Sequence, residues 1–320
     1  MSYYTDRWVL FKQEGTWGTW ATNPDTFPNY LMEWSATTTE NKEEEDIIAG
    51  SRDYRKRVWL EEGVVGRWVE EVVTAKIFEY VLGSHTGTAG TVTPSASTYD
   101  TGATLPSMSI YRALYPNESN ATVSIGYLGM KVDTAELTVE QSGDVRLELN
   151  FAGKGVTIPA SPIAKGTVSM SETAYAFHNC TVSLVHPSGT LALDNISRFV
   201  LSVNNNLEAR YSAGAQTYKA IELREGALEV TGRIGLSGDI TDMASIVTNR
   251  QDCTIIAKLI KTGATITFTA NNVSFGEYVD ELTGLDPIEV EIPFTARPNA
   301  SSDALVITEA NTVAYGTLVY

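Results

Sequence analysis

Residues 143–154 read GDVRLELNFAGK, and this stretch decides how the chain folds. Apolar side chains stand at 145, 147, 149 and 151, with polar ones between them. Because successive side chains of a strand point to opposite faces, the pattern predicts a strand with one buried and one wet face. The segment 132–140, rich in Thr and Val, precedes it across a Gln-Ser-Gly-Asp turn, which predicts an antiparallel hairpin.

The same strand pattern occurs a second time. Residues 288–297 read IEVEIPFTAR and match 145–154 position for position, each pair 143 apart. Two more matches follow the same order, Gly-Arg at 66–67 and 232–233, and Ala-Gly at 49–50 and 213–214. Ordered matches of this kind predict an internal duplication. The spacing falls from 166 to 143 along the chain, which places an insertion in the first copy near residues 84–102.

Size and composition limit the classes of protein that fit. A chain of 320 residues that is 43% hydrophobic fits one large domain or two ordinary ones with real cores. No apolar run approaches the ~20 residues of a membrane helix. The first residues lack the pattern of a signal peptide, so we expect synthesis in a cytoplasm and no membrane partner.

Charge and cysteine content exclude further classes. A net charge of −16 argues against a protein that grips phosphates, which requires neutralising Lys and Arg. It fits a surface that stays soluble or lets nucleic acid pass. The two cysteines, Cys180 and Cys253, form no disulfide framework and are expected to be reduced, packed thiols.

The expected organisation is mainly β. It comprises an aromatic arm at 1–30, a first domain at 31–158, a connecting segment at 159–193, a second domain at 194–298 and a tail at 299–320. The best helix is 74–83, where Thr74 can cap the start and Gly83 ends it. A short helix is expected at 241–249, and 84–104 is expected to be a loop because it has no periodicity.

The sequence nominates no catalytic, metal-binding or cofactor-binding residues. His85, His178 and His186 are scattered without metal-ligand spacing. No Gly-x-Ser-x-Gly elbow occurs, and the Gly-Lys-Gly at 153–155 lacks the spacing of a phosphate loop. A pair of hydrolase carboxylates could hide among the many acidic residues, but no two are singled out.

Several motifs together resemble the tail tube proteins of long-tailed phages. They are EGTWGT at 14–19, VVGR at 64–67 before a helix ending in Leu82-Gly83, LPSMSI at 105–110, GMKVDT at 129–134 and FAGKG at 151–155. The resemblance covers roughly residues 10–300, and the order of the motifs carries it. The insertion at 84–102 and the segment 159–193 have no evident counterpart in that family.

The resemblance implies two tandem β-sandwich or split-barrel domains, each with one short flanking α-helix. Subunits of this family close into rings that stack into a tube conducting genomic DNA. Long members can form a trimer that mimics a six-domain ring, with a true hexamer as the alternative. The implied partners are the chain itself, a tape measure protein inside the tube, tail-end proteins and DNA that passes without specific binding. The implied location is the virion tail, after assembly in the host cytoplasm.

The wet faces of the two matched strands are the candidate lining of such a tube. If the apolar residues of the hairpin point into the core, the polar ones share the other face by pleat geometry. The candidates are Glu136, Glu140, Arg146, Glu148, Asn150, Glu289 and Glu291. Five carboxylates against one arginine predict a net negative wall along which DNA slides.

Two other regions are candidate assembly contacts. The excursion 40–53 is long and charged, and the resemblance implies that such a loop joins stacked rings; its candidates are Glu43, Glu44, Glu45, Asp46, Ile47 and Ile48. The aromatic arm must dock on its own domain or on a neighbour, since its apolar area is too large to stay free. Its candidates are Trp8, Trp17 and Trp20.

Two rival functions remain open at this level. A carbohydrate-binding or other surface β-sandwich would share the Trp and Tyr content but would normally carry a signal peptide. A β-rich hydrolase would show a concentrated polar site. An acidic, all-β chain without such a site favours a self-assembling structural protein.

Overall fold

A computed structural model gives the fold. It describes residues 9–21, 30–46, 55–87, 95–102, 104–116, 121–159, 173–187, 189–212, 218–237, 243, 246, 252–276, 289–299 and 302–311. The side chains of 42–46, 55–60, 87, 95–97, 99–100, 114–116, 121–123, 289 and 311 are not described.

Nineteen described strands make up most of the chain. The first half contributes β1 (Val9–Gln13), β2 (Tyr30–Asp46), β3 (Arg55–Glu71), β4 (Gly83–Gly87), β5 (Ser95–Thr101), β6 (Met108–Pro116), β7 (Ala121–Glu140), β8 (Arg146–Gly153) and β9 (Gly155–Thr157). The second half contributes β10 (Cys180–His186), β11 (Gly189–Leu193), β12 (Ile196–Asn204), β13 (Glu208–Arg210), β14 (Glu222–Arg224), β15 (Glu229–Ser237), β16 (Cys253–Lys261), β17 (Ala264–Phe275), β18 (Glu289–Ala296) and β19 (Leu305–Asn311).

One antiparallel sheet, here called the long sheet, runs through both halves. Its order is β2-β3-β8-β7-β12-β15-β18-β17. The predicted hairpin is confirmed as β7–β8, with Ala135 opposite Leu149. The halves join where β7 pairs with β12, with Leu137 opposite Leu201.

A second layer covers each half. The first flank sheet is β1-β6-β7-β9, and the second flank sheet is β4-β5-β19-β17-β16-β10-β11. The strands β7 and β17 each belong to both layers, because one end pairs in a flank sheet and the other in the long sheet. Each half is therefore a β-sandwich whose layers share one bent strand.

Two expectations about irregular segments are wrong. Part of the arm forms β1, and the supposed loop 84–104 contains β5 and most of β4. The connecting segment contains β10 and β11. The β4–β5 hairpin pairs with β19, so the insertion and the C-terminal tail together extend the second flank sheet. These strands are polar and short, and backbone pairing with neighbours holds them without the apolar alternation that reveals a half-buried strand.

The helix expected at 74–83 is confirmed in its C-terminal half as α1 (Phe78–Leu82). Gly83 ends it in a left-handed conformation with φ 94°, as expected. Thr74 does not cap it, since the N-cap is Ile77 and makes no side-chain capping bond. Of the second predicted helix, Met243 and Ile246 are helical and buried, and its other residues lie outside the described part.

One hydrophobic core extends through both halves. In the first half the Trp34 and Phe151 rings lie 6.2 Å apart. In the second half Phe199 and Phe294 stack at 6.3 Å. The helix α1 lies between the halves, since Phe78 packs edge-on against Phe268 at 5.4 Å.

Candidate assembly surfaces

The wet face predicted for the hairpin exists, and it extends across the long sheet. Along β8 the burial alternates, with Arg146 exposed, Glu148 and Asn150 half-buried and the intervening apolar residues buried. Glu136 on β7 lies directly opposite Glu148. We call this surface the wall face.

The other candidates lie on the same surface. Glu140 pairs across the seam with Arg198 on β12. Glu291 is exposed on β18 between two buried residues, Val290 and Ile292. The side chain of Glu289 lies outside the described residues.

Sequence reasoning missed the arginines of the wall face. Arg67 on β3, Arg198 on β12 and Arg233 on β15 all project onto it from strands whose neighbouring side chains are buried. The signal was available for Arg67 and Arg233, since each stands between buried residues at alternating positions of its strand. The wall face therefore carries more positive charge than the hairpin alone predicts.

Arg67 binds two glutamates at once. Its Nε and Nη2 donate to Oε1 and Oε2 of Glu148, each at 2.7 Å, and its Nη1 donates to Glu33 Oε2 at 2.6 Å. The first contact is the bidentate arrangement that suits a guanidinium and a carboxylate. These hydrogen bonds, chiefly those from Arg67, hold the pKa of Glu148 below its ordinary value, although partial burial opposes them.

The second half repeats this arrangement in a looser form. Arg233 Nη1 lies 3.7 Å from Glu291 Oε2, and Arg198 Nη1 donates to Glu291 Oε1 at 3.3 Å. The Nε of Arg198 also lies 3.0 Å from Glu140 Oε1, as an ion pair whose angle falls short of a hydrogen bond. Arg67 and Arg233 are at positions that the predicted duplication matches, as are Glu148 and Glu291.

The excursion 40–53 is a two-stranded ribbon at its base. The strands β2 and β3 stay paired up to Asp46 opposite Arg55, whereas β8 accompanies β3 only from Val64 onward. Residues 55–63 thus extend about 30 Å beyond the long sheet at strand spacing. Glu43, Glu44 and Glu45 lie in this ribbon with side chains that are not described, and Ile47 and Ile48 lie outside the described residues.

The described tryptophans of the arm dock on their own subunit. Trp17 donates its indole N–H to the Gly129 carbonyl at 3.1 Å, and Lys154 Nζ lies 5.0 Å from the centre of its ring. Trp20 packs on Tyr111 with ring centres 6.5 Å apart. Trp8 lies outside the described residues.

The glutamate of the EGTWGT motif, Glu14, has a structural role in holding the arm in place. Glu14 is buried and accepts four hydrogen bonds, from the Ser107 and Ser109 hydroxyls and from the Gly18 and Gly129 backbone. Burying a carboxylate is stabilising only when it is fully hydrogen-bonded. The motif therefore attaches the arm to β6, β7 and the residue that precedes β6 through the hydrogen bonds of Glu14.

A buried polar cluster holds the two halves together beside the β7–β12 seam. Lys131 Nζ donates to Glu225 Oε1 at 2.6 Å and to the Leu223 carbonyl at 3.3 Å. Burial raises the pKa of Glu225, but the hydrogen bond from Lys131 and two backbone bonds outweigh it, so the net pKa is lowered. The Asn205 amide donates to the carbonyls of Val81 and Val132, each at 3.0 Å.

The described residues offer little for metal or thiol chemistry. They contain no group of three His, Cys, Asp or Glu side chains that could hold a metal ion. Neither Cys180 nor Cys253 is in a disulfide in the structure, and burial raises the pKa of Cys180 to about 11.

Within the described part of the chain, no helix has both the length and the apolar character that crossing a membrane requires.

The long sheet with its polar face and the two flank sheets together form an antiparallel β-sandwich protein. A family model for phage tail tube proteins matches residues 7–296, which is most of the chain. The chain belongs to the phage tail tube protein family. It is a structural subunit of the tube in the tail of a phage virion. No curated protein matches the chain.

Proposed function

We propose that three copies of this chain close into a ring of six tube folds, and that such rings stack into the tail tube. The proposal rests on the two halves being copies of one fold. Residues 9–158 and 173–311 are the two copies, so the arm, connecting segment and tail belong to them.

Strand register supports the duplication. Gly66 lies opposite Phe151 on the neighbouring strand, and Gly232 lies opposite Phe294. A side chain at Gly232 would meet the Phe294 ring at 2.3 Å, and one at Gly66 would press on Trp34 at 3.0 Å. Each glycine leaves room for one aromatic ring, that of Trp34 in the first half and that of Phe294 in the second.

An irregularity repeated at matched positions supports it further. The pairing of β6 with β7 shifts between Met108 and Ile110, and that of β16 with β17 shifts between Cys253 and Ile255. In both cases the partner strand advances by three residues while the first advances by two. A bulge at the same place in two sheets is a feature of one common fold.

We expect the contact between subunits in the ring to resemble the β7–β12 pairing that joins the two halves of one chain. The strand β12 of the second copy pairs with β7 of the first. The strand that corresponds to β12 in the first copy is β2, which pairs with β3 on one side. We propose that the other edge of β2 accepts the β17 side of the long sheet from a second subunit. A head-to-tail contact of this kind closes a ring and removes the exposed edges.

Burial at the two edges supports this closure. Phe199 and Leu201 on β12, which pairs with β7, are only 1% and 3% exposed. The corresponding residues on β2, Trp34 and Ala36, are only partly buried. The Nε1 of Trp34 also has no hydrogen-bond partner among the described residues.

The remaining roles follow from this ring. The wall face lines the channel, with Glu136, Glu140, Arg146, Glu148, Asn150, Glu289 and Glu291 as its candidates. The β2–β3 ribbon, including 43–48, contacts the next ring. The channel holds a tape measure protein and later DNA, tail-end proteins close the tube, and assembly takes place in the host cytoplasm. The chain acts through assembly and not through catalysis.

Native mass spectrometry of rings and cryo-electron microscopy of tubes test the proposal. We expect three chains and six tube folds per ring, with β2 of one chain beside β17 of the next. Six chains per ring, or β2 facing solvent in the tube, would overturn it.

A further inference from the structure

Carboxylates hold three of the four described arginines on the wall face. Arg67 uses three N–H groups on Glu148 and Glu33. Arg198 lies against Glu140 and Glu291, and Arg233 lies against Glu291. The fourth, Arg146, lies opposite Thr138. The pattern occurs in both copies.

These arginines have a structural reason to be there. Glu136 and Glu148 lie directly opposite each other on neighbouring strands, and like charges in such a pair are destabilising. Arg67 neutralises Glu148, while the Ser202 hydroxyl donates to Glu136 at 3.2 Å. The arginines therefore allow a closely spaced acidic sheet to form.

The same arginines would be a hazard in a DNA channel. A guanidinium binds phosphate through paired hydrogen bonds as well as it binds a carboxylate. One uncovered arginine in each copy would give six anchors in a ring, repeated at every ring. The carboxylates prevent this because they occupy the N–H groups that a phosphate would use.

We propose that Glu148 and Glu291 mask Arg67, Arg198 and Arg233, so that these three guanidinium groups are not open to a passing phosphodiester backbone. The inference rests on the proposed placement of the wall face in the channel. The alternative explanation is a simple acidic wall. There, every carboxylate repels phosphate equally, whether or not it is paired with an arginine.

Binding of a short fluorescent DNA duplex to preformed tubes at low salt separates the two explanations. Glu148→Gln with Glu291→Gln removes the carboxylate against Arg233 and one of the two carboxylates against each of Arg67 and Arg198. We expect its tubes to bind the duplex about tenfold more tightly than wild type. The matched control, Glu136→Gln with Glu229→Gln, removes the same charge from residues that are not in the described arginine ion pairs. We expect it to bind like wild type.

Two further variants keep the test informative if that double variant assembles poorly. Adding Arg67→Gln and Arg233→Gln should abolish most of the gain. Glu148→Asp keeps the charge but shortens the reach to Arg67, so masking predicts a partial gain where a simple acidic wall predicts none.

The outcomes distinguish this inference from the proposed function. Equal binding by the two double variants, with the wall face seen inside the tube by cryo-electron microscopy, overturns the masking alone. A wall face on the outside of the tube overturns the placement itself, whatever the duplex does.

Discussion

In the duplication that we propose, the edges of β2 and β12 occupy the same position, yet they differ in surroundings. Beside β12 lies β7, and the apolar residues beneath are almost fully buried. Beside the edge of β2 that faces away from β3, no strand lies among the described residues, and the matched apolar residues stay partly exposed. A contact that one edge makes within the chain is therefore left for the other to make with a second chain.

The two edges also differ in how they are reinforced. The seam at β12 has the Lys131–Glu225 pair, the Asn205 amide and the β5–β19 pairing. The position that matches Lys131 in the second copy is Ser274, and the position that matches Asn205 in the first copy is Glu40. We therefore expect the proposed contact between chains to have fewer specific bonds than the contact within the chain, which suits a joint that must form during assembly.

Proline substitutions at the two edges should give the largest contrast. Ser202 on β12 lies between two paired strands, so Ser202→Pro should lower the free energy of unfolding by about 1–3 kcal/mol or more in chemical denaturation. The matched residue Thr37 pairs on one side only. Edge strands tolerate proline, so Thr37→Pro should give a folded monomer that does not form rings.

Thr38→Pro belongs in the same experiment. Consecutive residues of a strand direct their N–H groups to opposite edges, so one of the two variants blocks the outer edge alone. Sedimentation and electron microscopy report assembly. If both variants form tubes like wild type, the β2 edge is not the ring contact.

Shortening the ribbon should break stacking and spare the ring. Removing 43–46 together with 55–58 deletes an even number of residues from each strand, so the remaining side chains keep their faces. We expect single rings in native mass spectrometry and no tubes by negative stain. Removing 213–217, the shorter matched segment, is the control and should affect stacking less. Tubes of normal length from the shortened ribbon would contradict the assignment.

The Lys131–Glu225 pair should matter for joining the halves and not for the contact between chains. Glu225→Gln leaves the Lys131 ammonium buried without its carboxylate, which should cost about 2–4 kcal/mol in chemical denaturation. Lys131→Met should cost less, because Glu225 is more exposed and can be hydrated. Ring contacts in assembled tubes should be unchanged.

The acid dependence of this pair has a definite sign. Because the folded pKa of Glu225 is lowered, its contribution to stability is present above the unfolded pKa and is lost as pH falls through the folded value. Glu225→Gln should therefore flatten the fall in stability on acidification. A fall as steep as in the native protein would mean that other carboxylates dominate.

The smallest effect concerns the matched ion pairs of the wall face. Since Arg67 lowers the pKa of Glu148, an NMR titration of the monomer should find this carboxyl below the ordinary glutamate range. Arg67→Gln should return it toward that range, while Arg233→Gln should leave it unchanged. A shift caused by Arg233→Gln would show that the two ion pairs are coupled across the sheet.

Local patterns in the sequence predicted the hairpin, the strands of the second half and the glycine that ends α1. These features depend on residues close in the chain, on alternating burial and on a left-handed conformation that glycine adopts easily. The matched segments also predicted two copies, because each glycine–aromatic contact leaves the same residues at the same spacing.

Other features were decided by partners far away in the sequence. The Ser- and Thr-rich β4 and β5 carry no alternating pattern. They are strands because β5 pairs with β19, some 200 residues later, and β4 pairs with β5. The sequence predicted the glutamates of the wall face but not its arginines on β3, β12 and β15, for a similar reason. The pleat places Glu148 and Glu291 on the wet side, but register alone brings Arg67 and Arg198 to them from other strands. The sequence by itself determined which side chains face away from the core, whereas tertiary structure decided which charges meet there, because cross-strand distances depend on pairing and not on order along the chain.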